Sequence, residues 1–273
     1  MNRKALVFLS ILLSAVIMIS CGGEKAVKDV KEKDHVKTEK VSEKHDHAKP
    51  HWTHHAGADG PENWANLCEG FKDCGGQAQS PIDIKDAVLN ETLKPIEFNY
   101  GESKASIINN GHTVQFNVDP GSFININGKK YDLLQFHYHA TSEHTINGEY
   151  YPLEVHFVHK LSDTDLAVVG IMYEQGEVNK LFEKFLQHFP TEKGEWKSEE
   201  VFNLAEILPE NKSYFHYSGS LTTPPCTEVV SWFLLKNALP ASEEQIKQFS
   251  DILDKNFRPV QATNGREIFE YSE

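Results

Sequence analysis

From Trp52 onward, apolar and polar residues alternate in short runs bounded by Gly, Asn, Asp and Pro. Ser106-Ile-Ile, Thr113-Val-Gln-Phe-Asn-Val and Ser122-Phe-Ile-Asn-Ile are separated by turn material such as Asn109-Asn-Gly, Asp119-Pro-Gly and Asn127-Gly. A period of two, broken by such turns, predicts hairpins of an antiparallel sheet. Further strands are expected over Leu133–Ala140, Leu153–His159, Ala167–Tyr173 and Val229–Leu235. Helical stretches are fewer: Val178–Phe189 and Ser242–Leu253, where Ser242 followed by Gln245 resembles a capping box. The pattern predicts one mainly β (α+β) domain over 51–273. It would be built on a large, mostly antiparallel twisted sheet with a few peripheral helices.

Upstream the pattern changes twice. Arg3 and Lys4 precede an almost unbroken apolar run from Ala5 to Ile19, too short to span a bilayer comfortably and suited to a signal-peptide core. It ends in Met18-Ile-Ser-Cys21-Gly, which resembles the lipobox of bacterial lipoproteins, although Leu is more usual where Met18 stands. That resemblance implies a signal peptide over 1–20, a lipidated Cys21, and an exported protein held at a periplasmic or cell-surface membrane by its lipid. Residues 21–50 scatter Val27, Val30, Val36 and Val41 among charges, too little apolar surface to offset the entropy of ordering. They read as a charged, His-rich tether whose His35, His45 and His47 could hold metal loosely or simply face solvent.

Charge narrows the partners. With 40 acidic against 27 basic residues, the formal charge of −13 argues against nucleic acid, whose phosphates need clustered positive charge. Once Cys21 is set aside, Cys68, Cys74 and Cys226 remain. An oxidising compartment would allow one disulfide and leave one thiol, and spacing does not choose the pair.

Two runs hold the candidate chemistry. In Gln135-Phe-His-Tyr-His139, alternation puts Gln135, His137 and His139 on one strand face; in Glu154-Val-His-Phe-Val-His159 it groups Glu154, His156 and Val158, with His159 opposite. If the strands pair, His137, His139 and His156 converge. Three neutral imidazoles with an open fourth position are what a catalytic zinc needs. A ligating imidazole also needs an acceptor on its other nitrogen. Gln135 and Glu154, each two residues before a candidate ligand, would serve His137 and His156.

The run Gln135-Phe-His-Tyr-His, Ser142-Glu-His-Thr and Leu153-Glu-Val-His-Phe-Val-His is similar to the zinc-binding core of α-carbonic anhydrases. Gly219-Ser-Leu-Thr-Thr-Pro-Pro-Cys-Thr-Glu resembles that family's most recognisable stretch. Gln79-Ser-Pro-Ile-Asp-Ile, Gly60-Pro-Glu-Asn-Trp, Asn109-Asn-Gly-His and Arg258-Pro match in family order. The resemblance covers about residues 51 to 273 and implies a zinc enzyme that hydrates carbon dioxide reversibly to bicarbonate and a proton, by attack of zinc hydroxide. It implies His137, His139 and His156 as ligands, with the Asn256 carbonyl holding His139. Thr222 would accept a hydrogen bond from the nucleophile and donate to Glu143, and Thr223 would contact bicarbonate. Val158, Val168, Leu221 and Trp232 would wall the carbon dioxide pocket, and His112 would shuttle the proton. His144 would play a structural part beside Glu143. The family also implies a Cys74–Cys226 disulfide, with Cys68 as the odd thiol.

There are departures. Trp52-Thr-His-His offers His54 or His55 where the family usually shows the Tyr of Trp-x-Tyr, and Gln115 stands where Asn is common. The partners expected are carbon dioxide, bicarbonate and a membrane, with a homodimer left open. The rival readings are a catalytically silent binding module of the same family and a periplasmic zinc-binding lipoprotein working through its tether.

Overall fold

The longest alternating runs form the longest strands of the computed structural model, which describes residues 50–273. The expected signal peptide, Cys21 and all of the tether before Pro50 lie outside the described residues. Seven strands carry the architecture: β1 Ala105–Asn109, β2 Val114–Val118, β3 Lys129–His139, β4 Leu153–Ser162, β5 Asp165–Gln175, β6 Tyr214–Gly219 and β7 Val230–Ala241. They lie in the order β1-β2-β3-β4-β5-β7-β6 within a twelve-stranded sheet. Gly194–Lys197 pairs beyond β1, and Phe269–Tyr271 followed by Val88–Leu89 extends the other side. Neighbours from β1 to β5 are antiparallel, as are β6 and β7, but β5 and β7 run parallel. The sheet is therefore mixed at its centre. Parallel neighbours need a long crossover, here the chain between Gln175 and Val230.

Alternation gives the sheet two buried faces. On one, Phe116, Phe136, Tyr138, Val155, Phe157, Val169 and Ile171 pack with Phe182 and Phe185 of α1 (Lys180–Leu186) and Phe249 of α2 (Glu243–Leu253). Phe182 and Phe249 stack at 4.0 Å, locking the helices together. Each such side chain contributes roughly 1.5–3 kcal/mol of burial. The helix expected over Val178–Phe189 is shorter because the Asn179 side chain caps it, accepting from the Phe182 amide at 3.0 Å. At its far end Pro190 disfavours helical backbone at Phe189. The Ser242–Gln245 capping box is present in both directions.

Cys74 and Cys226 form a disulfide across a sequence separation of 152. Cys68 is not free either, which corrects its expected place as the odd thiol.

Candidate active site

The opposite sheet face carries the polar residues. In the β3/β4 pairing His137 lies across from His156 and His139 across from Glu154. The same rung continues to Gln115 on β2, Gly170 on β5 and Leu234 on β7. The next rung runs Asn117, Gln135, Val158, Val168, Trp232 and Tyr217. Register alone thus sets an apolar row beside the histidines. The three imidazole centroids stand 4.6 to 5.4 Å apart, and one nitrogen of each lies within 4.8 Å of the others.

Hydrogen bonds fix which nitrogen is offered. His137 Nδ1 lies 2.9 Å from Gln135 Oε1, His139 Nδ1 lies 2.7 Å from the Asn256 carbonyl, and His156 Nε2 lies 2.7 Å from Glu154 Oε1. Every partner atom is an acceptor, so each of these nitrogens carries the proton and the other keeps its lone pair. The three lone pairs belong to His137 Nε2, His139 Nε2 and His156 Nδ1. Burial lowers the pKa of all three rings, so they are neutral, the form a metal binds. His139 Nε2 is buried with no partner among the described residues. A buried nitrogen so left over, facing two other lone pairs, fits a zinc ion, which takes imidazole at about 2.0–2.1 Å.

Glu154 is the hub beneath them. Its Oε1 accepts from His144 Nδ1 (2.8 Å) as well as His156, and its Oε2 accepts from the backbone amides of Glu143 (2.8 Å) and His144 (2.9 Å). Burial alone would raise this carboxyl, yet the two imidazoles and their hydrogen bonds hold it well below the usual range. These bonds also account for the proximity of His144, Glu154 and His156, whose facing nitrogens are spent on the carboxylate. His144 Nε2 accepts from the Tyr217 hydroxyl at 2.6 Å, and that hydroxyl oxygen lies 2.9 Å from Ser80 Oγ.

Glu143 is fully buried, and its Oε2 lies 3.5 Å from His139 Nε2 and 3.8 Å from His156 Nδ1. Its Oε1 accepts the Arg258 amide at 2.8 Å. Burial lifts its pKa to about 6, opposed by His156, the Arg258 amide and the Thr222 hydroxyl. Thr222 is buried, while Thr223 beside it is half-buried. Their loop is tied down at Thr223, whose carbonyl accepts the Cys226 amide at 2.9 Å. Val168 and Trp232 are buried, with Val158 and Leu221 packed against the same cluster. His112 sits in a turn held by Asn110 Oδ1, its ring stacked on Trp52 at 4.0 Å.

Sequence reasoning missed two features. Arg258 was one matched position among several, yet its buried guanidinium donates to Gln79 Oε1, the Ser80 carbonyl and the Cys74 carbonyl. It thereby fixes the segment whose amide holds Glu143. Gly170 gave no signal, although any side chain there would meet Leu234 and Glu154.

Residues 59–272 match the family model described as eukaryotic-type carbonic anhydrase. A carbonic anhydrase of Neisseria gonorrhoeae is 39% identical over 223 residues, 81% of this chain and 88% of that protein. One of Klebsiella pneumoniae is 41% identical over 226 residues, covering 81% and 91%. The solved structure of a hyperthermostable carbonic anhydrase from an active hydrothermal vent chimney superposes with a TM-score of 0.78 at 42% identity, covering 81% of this chain and 100% of that one. The chain belongs to the eukaryotic-type, or α, carbonic anhydrase family, enzymes that hydrate carbon dioxide.

Proposed function

We propose that the chain hydrates carbon dioxide reversibly at a zinc ion held by His137, His139 and His156. The observation that carries this reading is the convergence of three lone pairs whose ring partners are all occupied. Bound zinc supplies Lewis acidity that makes water nucleophilic at neutral pH.

The remaining roles belong to side chains. Ionised Glu143 only accepts, so the Thr222 hydroxyl donates to it and presents lone pairs to the attacking oxygen, turning it toward the substrate. Val158, Val168, Leu221 and Trp232 offer carbon dioxide an apolar wall, and Thr223 meets the bicarbonate product. Gln135, Asn256 and Glu154 hold ring orientation and tautomer. His112 takes the released proton to buffer. Its pKa is lowered by partial burial, with Lys193 and His51 adding to the effect, which favours handing the proton on. We further propose export and anchoring through Cys21.

Stopped-flow carbon dioxide hydration before and after chelation tests the reading, with zinc content measured alongside. Wild type should bind one zinc per chain and lose turnover when it is stripped. His156→Ala should lose zinc and hydration together, since two imidazoles leave the site poorly closed. Full zinc occupancy with normal turnover in that variant would sink the ligand assignment.

A further inference from the structure

Ser80, His144, Glu154 and Tyr217 are each at most 1% exposed, yet all four carry polar groups. Buried polar groups are costly unless paired, so the direction of each hydrogen bond among them is constrained. Tyr217 stands on β6 opposite Trp232 of β7, and the two rings stack within 5° of parallel. Its hydroxyl is thereby set 2.6 Å from His144 Nε2 and 2.9 Å from Ser80 Oγ. For a neutral His144 ring, counting hydrogens gives one arrangement. Glu154 Oε2 takes two backbone amides and Oε1 takes His156 Nε2, so this carboxylate only accepts. The His144 proton therefore sits on Nδ1, 2.8 Å from Oε1, and Nε2 holds a lone pair that the Tyr217 hydroxyl meets. Ser80 Oγ accepts the Ser220 amide at 3.1 Å, and its own hydrogen goes to the Tyr217 oxygen.

We propose that Tyr217 is a positioning residue for metal binding: by donating to His144 Nε2 it locks that ring's proton onto Nδ1, which holds Glu154 in place on His156. The inference rests on the reading of His137, His139 and His156 as zinc ligands. Without the hydroxyl, the His144 proton is free to move to Nε2. Nδ1 then turns a lone pair on Glu154 Oε1, acceptor against acceptor at 2.8 Å. The carboxylate is pushed from the position that also takes His156 Nε2 at 2.7 Å. His156 thereby loses the bond that fixes its tautomer and aims its Nδ1 lone pair toward His137 and His139. No water stands in for the missing donor without room being made for it, because the site around Tyr217, His144 and Ser80 is closed to solvent. Room is short: a Cβ at Gly219 would come within 2.2 Å of Ser80 Oγ and 2.8 Å of Tyr217 Cε2. Tyr217 thus acts on the ligand at second hand, through His144 and Glu154.

The test removes one buried hydroxyl at two places on the same strand. Tyr214 is as buried as Tyr217 but belongs to the opposite face, where its hydroxyl donates to the Lys94 carbonyl at 2.7 Å. Wild type, Tyr217→Phe and Tyr214→Phe are compared by zinc affinity, from competition with a chromophoric chelator, and by nitrogen NMR of histidine-labelled, zinc-loaded protein. Wild-type His144 should show a single neutral tautomer, protonated at Nδ1 and accepting at Nε2. Tyr217→Phe should populate the Nε2–H form and bind zinc about tenfold more weakly, as loss of an outer partner of a ligating histidine does. Tyr214→Phe should lower the thermal midpoint and leave both the tautomer and the zinc affinity as in wild type. A proton on His144 Nε2 in wild type would overturn the proposal whether or not the variants fold. Unchanged zinc affinity in Tyr217→Phe, or an equal loss in the two variants, would overturn it as well. Failure of the underlying reading looks different, since His156→Ala would then leave zinc binding as it is in wild type.

Discussion

A buried imidazole can be kept for a lone pair or for its fit, and its hydrogen bonds tell the two apart. His139 spends Nδ1 on the Asn256 carbonyl and leaves Nε2 open. His159 spends both nitrogens: Nδ1 donates to the Ala167 carbonyl at 3.2 Å and Nε2 accepts from the Tyr100 hydroxyl at 2.7 Å. Strand alternation in the sequence already put His159 on the face away from His156. The partners of His137 and His156 could be read two residues upstream of each ring, whereas the partner of His139, 117 residues away, came only from the family resemblance. Burial lowers the pKa of His159 to about 3, against about 6.5 in an unfolded chain. Between those values the unfolded state binds the extra proton, so stability rises with pH across the window. The contribution is fully present above about 6.5 and is lost as pH falls toward 3. Denaturant midpoints should therefore fall from pH 7.5 to pH 5 in wild type, and fall less in His159→Gln. Equal falls in the two proteins would show that this ring does not contribute to the acid response.

At the scale of the strands, register does most of the placing. Once β3 and β4 pair, His137 meets His156 without any long-range choice, and that much could be read from the sequence. The parallel β5/β7 contact could not, because periodicity reports which face a residue occupies and says nothing of which strand lies beside it. The same contact explains Gly170, which sits between His156 and Leu234 on its rung. A Cβ at Gly170 would come within 2.5 Å of Leu234 Cδ2 and 3.1 Å of Glu154 Oε1. Leu234 is buried and has little room to retreat. Gly170→Ala should cost about 1–3 kcal/mol of stability through overpacking. By pushing on Glu154 it should also weaken zinc binding about tenfold, the low end for residues that orient a ligating histidine. Competition with a chromophoric chelator measures the second effect. Unchanged zinc affinity in a destabilised variant would show that the crowding stops at Leu234.

Across the whole molecule, the disulfide and the proposed lipid anchor concern parts that the sheet register does not reach. Cys74–Cys226 ties the segment before the sheet to the loop bearing Thr222, while Arg258 and Gln79 bind the carbonyls of the two cysteines. A loop of this length is worth about 5 kcal/mol in the chain-entropy model. Cys74→Ser/Cys226→Ser should lower the thermal midpoint yet keep zinc, whose proposed ligands stand on β3 and β4; zinc lost in step with the disulfide would contradict this. The pairing came from family resemblance, since spacing among three cysteines left it open. Every residue given a role in the chemistry lies after Pro50, and the expected tether from Gly22 to Pro50 has 29 residues. A single acyl chain anchors only marginally, but bacterial lipoprotein cysteines carry more than one, which slows release. If Cys21 is acylated as proposed, wild type should partition into detergent and membrane fractions, and Cys21→Ser should not. Protein cut free near Pro50 should be soluble, bind one zinc and hydrate carbon dioxide at the full rate. If the cut protein kept its zinc and lost most of its turnover, the tether and its His35, His45 and His47 would belong to the chemistry.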